Sequence, residues 1–151
     1  MDRFMRRALE LARENVREGG QPFGAVLVMD GEAVAEGVNE LHLRHDVSGH
    51  AELLAVRRAQ AKLQRAELKG AVMYASGEPC AMCLAAMYFA GIEEVYYCRS
   101  VEDAAAAGLG KSGFIYDELR KPKAERTMKM TRLPLAPGEV DPLRAWAEKQ
   151  K

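Results

Sequence analysis

The sequence predicts an α/β protein, a three-layer α/β/α sandwich around a mixed sheet. Three observations predict it. Apolar runs of strand length alternate with helical patterns in the order α-β-β-α-β-α-β. Asp30-Gly31 lies between the first two strand patterns, a strong hairpin signal. The later strand patterns are separated by whole helices, so the antiparallel opening gives way to parallel crossovers.

The elements follow in order. Over residues 2–18, Phe4, Ala8, Leu11 and Ala12 share one helical face beside Met5, Leu9 and Val16, with Arg and Glu opposite. The glycines and proline of "EGGQPFG" end that helix. Val26–Met29 is almost wholly apolar, which predicts a strand covered on both faces; its hairpin partner runs near residues 32–38. "LHLRHDVSG" has no period and reads as a loop. Leu53, Leu54, Val56, Ala59 and Leu63 suit a helix over residues 50–63. "AVMYAS" is a short buried strand. "GEPCAMCLAAMYFAG" is a turn and helix, with Pro79 at its start and Gly91 at its end. "EEVYYC" is a further strand. Beyond residue 100 the pattern weakens to an Ala-rich stretch, a helix at "FIYDELR", a proline-punctuated segment and a last helix over 141–150 carrying Trp146.

The chain has 151 residues, 48% of them hydrophobic and 29% charged, which suits one soluble domain with a core of its own. Lys plus Arg equals Asp plus Glu at 22 each, so no basic surplus points to nucleic-acid phosphates. The charged N-terminus does not resemble a secretory signal, and no apolar run reaches membrane-span length. The cytoplasm is the expected location. Three cysteines, Cys80, Cys83 and Cys98, do not form a disulfide framework, and two of them are spaced C-x-x-C.

That spacing acquires meaning beside His50 and Glu52. A catalytic zinc keeps three protein ligands and leaves its fourth position to water. One imidazole and two thiolates supply three. Cys80 and Cys83, three apart on one helical turn, can point at a common ion, and a helix N-terminus favours their thiolate forms. Glu52, two residues after His50, can then move protons without ligating the metal.

Other readings exist for each part. A structural zinc knuckle would need Cys98, His42 or His45 as a fourth ligand. A redox pair would leave His50 and Glu52 unexplained. Cys98 is expected to be buried or half-buried in its strand, and His42 and His45 to sit in a loop. Asn39 closes the second strand, where a turn residue is the plain reading.

The whole arrangement, H-A-E followed after 26 residues by P-C-x-x-C, is the signature of zinc nucleobase deaminases. With "PFGAVLV", "GVNE", "HAELLAVRRA" and "GEPCAMCLAAMYFAGIEEVYY" in order, the chain resembles the purine-type branch of the cytidine deaminase superfamily. Within that branch, "EDAAAAG", "GFIYDELRKPKAERT" and "DPLRAW" are similar to the bacterial guanine deaminases more than to the tRNA adenosine deaminases.

The resemblance implies a mixed five-stranded sheet, zinc on His50, Cys80 and Cys83, and Glu52 as proton shuttle. It implies Asn39 as a hydrogen-bond partner of the purine, and Phe23, Gly24 and the backbone of Ala51 as pocket lining. Phe89 stands where guanine deaminases often carry a tryptophan. It also implies a homodimer, with residues 122–151 as a C-terminal segment swapped onto the partner. Three positions depart from the branch. The loop "LGKSG" lacks an acidic pair, Phe89 replaces the tryptophan, and "AWAEKQK" ends without tyrosine. Glu139 or Asp141 could supply a carboxylate from the tail. The resemblance thus implies zinc-dependent hydrolytic deamination of a free nucleobase, guanine to xanthine plus ammonia, with guanosine, cytosine, an aminotriazine or a tRNA adenosine as the alternatives.

Overall fold

Asp30 and Gly31 both take positive φ, 52° and 78°, the backbone of the tight turn that folds β1 (Gly24–Met29) onto β2 (Glu32–Val38). The hairpin pairs Gly24 with Val38 and slips by one residue at Leu27/Val28, where Val34 is the extra residue. The computed structural model describes residues 1–151. It divides into two compact units, residues 1–118 and 119–151.

In the first unit the strand order is β2-β1-β3-β4, with β3 at Val72–Gly77 and β4 at Glu94–Arg99. β1 lies antiparallel to both β2 and β3, and β3 is parallel to β4. The two crossovers, through α2 (Ala51–Leu63) and α3 (Ala81–Phe89), therefore each join parallel strands; the first steps over β1. The sheet has four strands, where the resemblance implied five. After β4 the Ser100 side chain accepts from the Asp103 N–H, while the Asp103 carboxylate accepts from the Ser100 N–H. This capping box starts α4 (Val101–Ala106), and α5 (Lys111–Arg120) follows. The chain that could have supplied another strand is thus helical.

Alternation along β1 builds the layers. Val26 and Val28 face α1 (Arg3–Arg17) and pack with Met5 and Ala8. Ala25 and Leu27 face the other way, into a core with Ala55, Val56 and Ala59 of α2 and Cys83 and Met87 of α3. β1 is consequently buried on both faces, as its apolar run predicts. β4 lies at the sheet edge and is largely exposed, so Cys98 is exposed rather than buried. α1 lies mainly over β1 and β3 and α2 mainly over β2 and β1, which leaves most of β4 uncovered.

The close seat of α2 on the hairpin has a specific cause. A Cβ at Gly37 would overlap the Ala51 carbonyl oxygen and lie 3.1 Å from the Ala55 nitrogen. Gly37→Ala must therefore push back the first turn of α2. Overpacking of this kind costs about 1–3 kcal/mol, and denaturant unfolding of the variant should show a loss of that size. Unchanged stability would mean that the helix start shifts freely.

The second unit contains a short 3-10 turn at Lys123–Glu125 and α6 at Pro142–Lys149. Asp141 caps α6 by accepting from the Leu143 N–H, and Pro142 occupies the first helical position. The segment expected to begin at residue 122 lies inside this unit. No helix is long and apolar enough to cross a membrane.

Candidate metal centre

β2 and β3 end, and β1 begins, at the same end of the sheet, because β1 is antiparallel to both. α2 and α3 start there. His50 stands at the N-cap of α2 and Cys80 at the N-cap of α3, and neither side chain caps its own helix. Both are free to turn toward a common point. The His50 imidazole, the Cys80 thiol and the Cys83 thiol come together with ligand atoms all within 4.8 Å of one another. His50 Nδ1 lies 3.4 Å from Cys80 Sγ.

This donor set fits zinc. Tetrahedral bonds of about 2.3 Å to sulfur and 2.0–2.1 Å to nitrogen hold ligand atoms roughly 3.5–4 Å apart. The three donors, with His50 and Cys80 already 3.4 Å apart and all ligand atoms within 4.8 Å, need only small side-chain shifts to reach that size. His42 and His45 are exposed loop residues, and Cys98 lies out on β4; none joins the group. A closed four-ligand knuckle is therefore not what the residues form.

Electrostatics divides the two cysteines. The Cys80 thiol is lowered to about 4, chiefly by the hydrogen bond from Cys83 and then by His50, against the effect of burial. Cys83 is pushed up, by donating to Cys80, by burial and by the charge of Glu52. His50 is raised, first by its bond to Cys80. Of the two, Cys80 is the more acidic thiol.

Glu52 is 6% exposed in the first turn of α2. Burial, followed by the Cys80 charge, raises its carboxyl from the ordinary 4.5 to about 7. Its own N–H, His50 and Cys83 pull the other way without prevailing. At neutral pH the group is poised both to take and to give a proton. Folding retains that proton. Its contribution is full below pH 4.5 and is lost as the pH rises through about 7. Isotope-edited infrared titration of the metal-free protein should place the carboxyl midpoint near 7. A midpoint near 4.5 would contradict the burial argument.

The expected pocket residues gather unequally. The Phe23 ring lies against Gly77, three residues before Cys80, where a Cβ would fall 2.9 Å from the ring. The Phe23 carbonyl accepts from the Asn39 N–H at 3.2 Å. Asn39 is buried, and the following residue, Glu40, donates its N–H to the Gly49 carbonyl beside His50. Gly24 is buried, with its N–H on Ser76 Oγ at 3.0 Å. Ala51 is buried with its carbonyl against Gly37, so its helix-initial N–H is the part of its backbone left to serve a ligand. Phe89 is different. It ends α3, nine residues on from Cys80, and is 92% exposed. A helical rise of about 1.5 Å per residue carries it far from the cluster. This chain does not bring Phe89 to its own metal centre.

Two supports were not evident from the sequence. The Tyr116 hydroxyl of α5 donates to the Pro79 carbonyl at 2.6 Å, and Glu78 Oε1 accepts from the Val101 N–H at 3.1 Å. Both hold the turn that delivers Cys80. Burial, then the charge of Cys80, raises Tyr116 to about 12, so it remains a donor. The "LGKSG" stretch is partly helical, since α5 begins at Lys111.

Comparison with known proteins agrees with this geometry. Residues 1–99 match the family described as the cytidine and deoxycytidylate deaminase zinc-binding region. The chain is 43% identical over 144 residues to guanine deaminase of Bacillus subtilis, spanning 95% of this chain and 91% of that protein. It is also 43% identical to a tRNA-specific adenosine deaminase of Agrobacterium fabrum, over 62% of each chain. The crystal structure of the Bacillus subtilis guanine deaminase superimposes with a TM-score of 0.89 at 41% identity, covering 98% of this chain and 95% of that one. A guanine deaminase from Nitrosomonas europaea gives a TM-score of 0.66 at 31% identity, covering 70% of this chain and 62% of that one. The three-donor cluster, the buried acid beside it and the match across residues 1–99 have one common account: this chain belongs to the cytidine and deoxycytidylate deaminase family.

Proposed function

We propose that the protein hydrolyses guanine to xanthine and ammonia. The carrying observation is the buried Glu52 carboxyl in the same first turn that has His50 at its N-cap, beside three convergent zinc donors. Choice of guanine rests on the Bacillus subtilis relative, whose similarity runs through the tail, while the Agrobacterium fabrum tRNA enzyme matches 62% of the chain.

His50, Cys80 and Cys83 hold the zinc. Zinc in such a site acts as a Lewis acid that makes water a usable nucleophile at neutral pH. Glu52 takes a proton from the attacking water and passes it on toward the departing amine, which leaves as ammonia. Asn39 hydrogen-bonds the base. Phe23, Gly24 and the backbone of Ala51 line the pocket. Phe89, with Tyr88 and Tyr97, is exposed, which supports a homodimer in which such side chains meet a second copy. Residues 122–151 are proposed to cross to that copy, and the protein to work in the cytoplasm.

Zinc-loaded protein should be incubated with guanine, guanosine, adenine, cytosine, an aminotriazine and tRNA. Ammonia and xanthine from guanine are expected. Ammonia only from another substrate would reassign the base. The tRNA reading has its own support in the tRNA-specific relatives, and it predicts tRNA binding that weakens steeply with salt.

A further inference from the structure

Asn15 lies on the wrong side of its helix for a polar residue. Met5, Ala8, Ala12 and Asn15 form the buried stripe of α1, and Asn15 is 2% exposed. Its side-chain amide donates to two backbone carbonyls, Gln21 O at 2.8 Å and Asn39 O at 2.9 Å. Both amide hydrogens are used. The Asn15 backbone carbonyl accepts from the Gly20 N–H at 2.8 Å. One residue thus ties the loop leading to Phe23 to the loop that carries Asn39. Gln21 completes the tie, because Asn39 Nδ2 donates to Gln21 Oε1 at 3.3 Å. Asn39 Oδ1 accepts from the Leu41 N–H at 3.0 Å, which fixes the amide and leaves its second N–H to donate elsewhere.

We propose that Asn15, assisted by Gln21, is a positioning residue for base recognition, holding Asn39 so that its amide presents a hydrogen-bond donor to the substrate. The proposal rests on the reading that Asn39 contacts the base. Asn15 touches no substrate and acts through Asn39.

The test is a double-mutant cycle on zinc-loaded protein with guanine, reading KM and kcat separately alongside thermal unfolding. Asn15→Leu should raise KM roughly tenfold, the size of one lost hydrogen bond to a base, and lower kcat much less. In an Asn39→Ala background the same change should add little to KM. An equal effect in both backgrounds, or a lower Tm with KM unmoved, would overturn the proposal. Should Asn15→Leu fail to fold, Gln21→Met at a half-buried site decides: a rise in KM that vanishes with Asn39→Ala supports the proposal, and an unchanged KM overturns it. If Asn39→Ala leaves KM unaltered, the base-contact reading itself falls and the proposal with it. If Asn39→Ala raises KM while Asn15→Leu does not, only the proposal falls.

Discussion

Glu52→Gln should yield a folded, zinc-loaded protein with almost no turnover. Glutamine matches glutamate in size, so the buried first turn of α2 keeps its packing. It cannot carry a transferable proton. A positioned acid–base group contributes roughly 10²–10⁴-fold in rate, and this one would serve both the water and the departing amine, so the loss belongs at the upper end of that range. Stability should hold or rise, since an ionisable group that burial disfavours has been removed. Three measurements decide it together: zinc by elemental analysis, Tm, and ammonia release. Turnover within tenfold of the parent in a zinc-replete variant would remove Glu52 from the proton path.

Cys83→Ala should lose the metal and the activity together. Cys83 is fully buried in the core shared by α2, α3 and the sheet, so truncation also leaves a small cavity there. Cys83→Ser separates these effects, because it nearly preserves volume while removing the thiolate. Both variants should purify with little zinc. Zinc should raise the Tm of the parent, since a ligand present at a thousand times its Kd stabilises the folded state by about 4 kcal/mol. It should leave the Tm of either variant nearly unmoved. Full zinc occupancy in Cys83→Ala would break the ligand assignment.

The sequence made the local features legible and hid those that depend on tertiary placement. Asp30-Gly31 dictated its turn through backbone conformation alone. His50, Glu52, Cys80 and Cys83 were readable because the spacing within each pair is a property of one helical turn. The joining of the two pairs came from the donor set that a catalytic zinc needs and from the known deaminase signature, since the 26 intervening residues say nothing about distance. Cys98 was misplaced because strand periodicity does not reveal which strand lies at the sheet edge. The fifth strand came from the resemblance, and the capping box at Ser100 overrides it here. Phe89 shares a helix with both zinc cysteines, yet only the length of that helix tells how far away it lies. Asn15 did leave a signal. An asparagine three residues after Ala12 and seven after Ala8 falls on the apolar stripe, and a polar group there must find buried partners.

The hydrogen bonds around Glu78 and Pro79 tie the metal centre to chain beyond the matched family region. A fragment cut after Arg99 would contain every zinc donor, Glu52 and the whole matched family region. It would lack Val101, which holds the Glu78 carboxylate, and Tyr116, which holds the carbonyl next to Cys80. The turn that presents the first thiolate would then be tethered only from one side. The stretch from Val101 to Tyr116, beyond the matched family region, therefore braces the turn that carries Cys80.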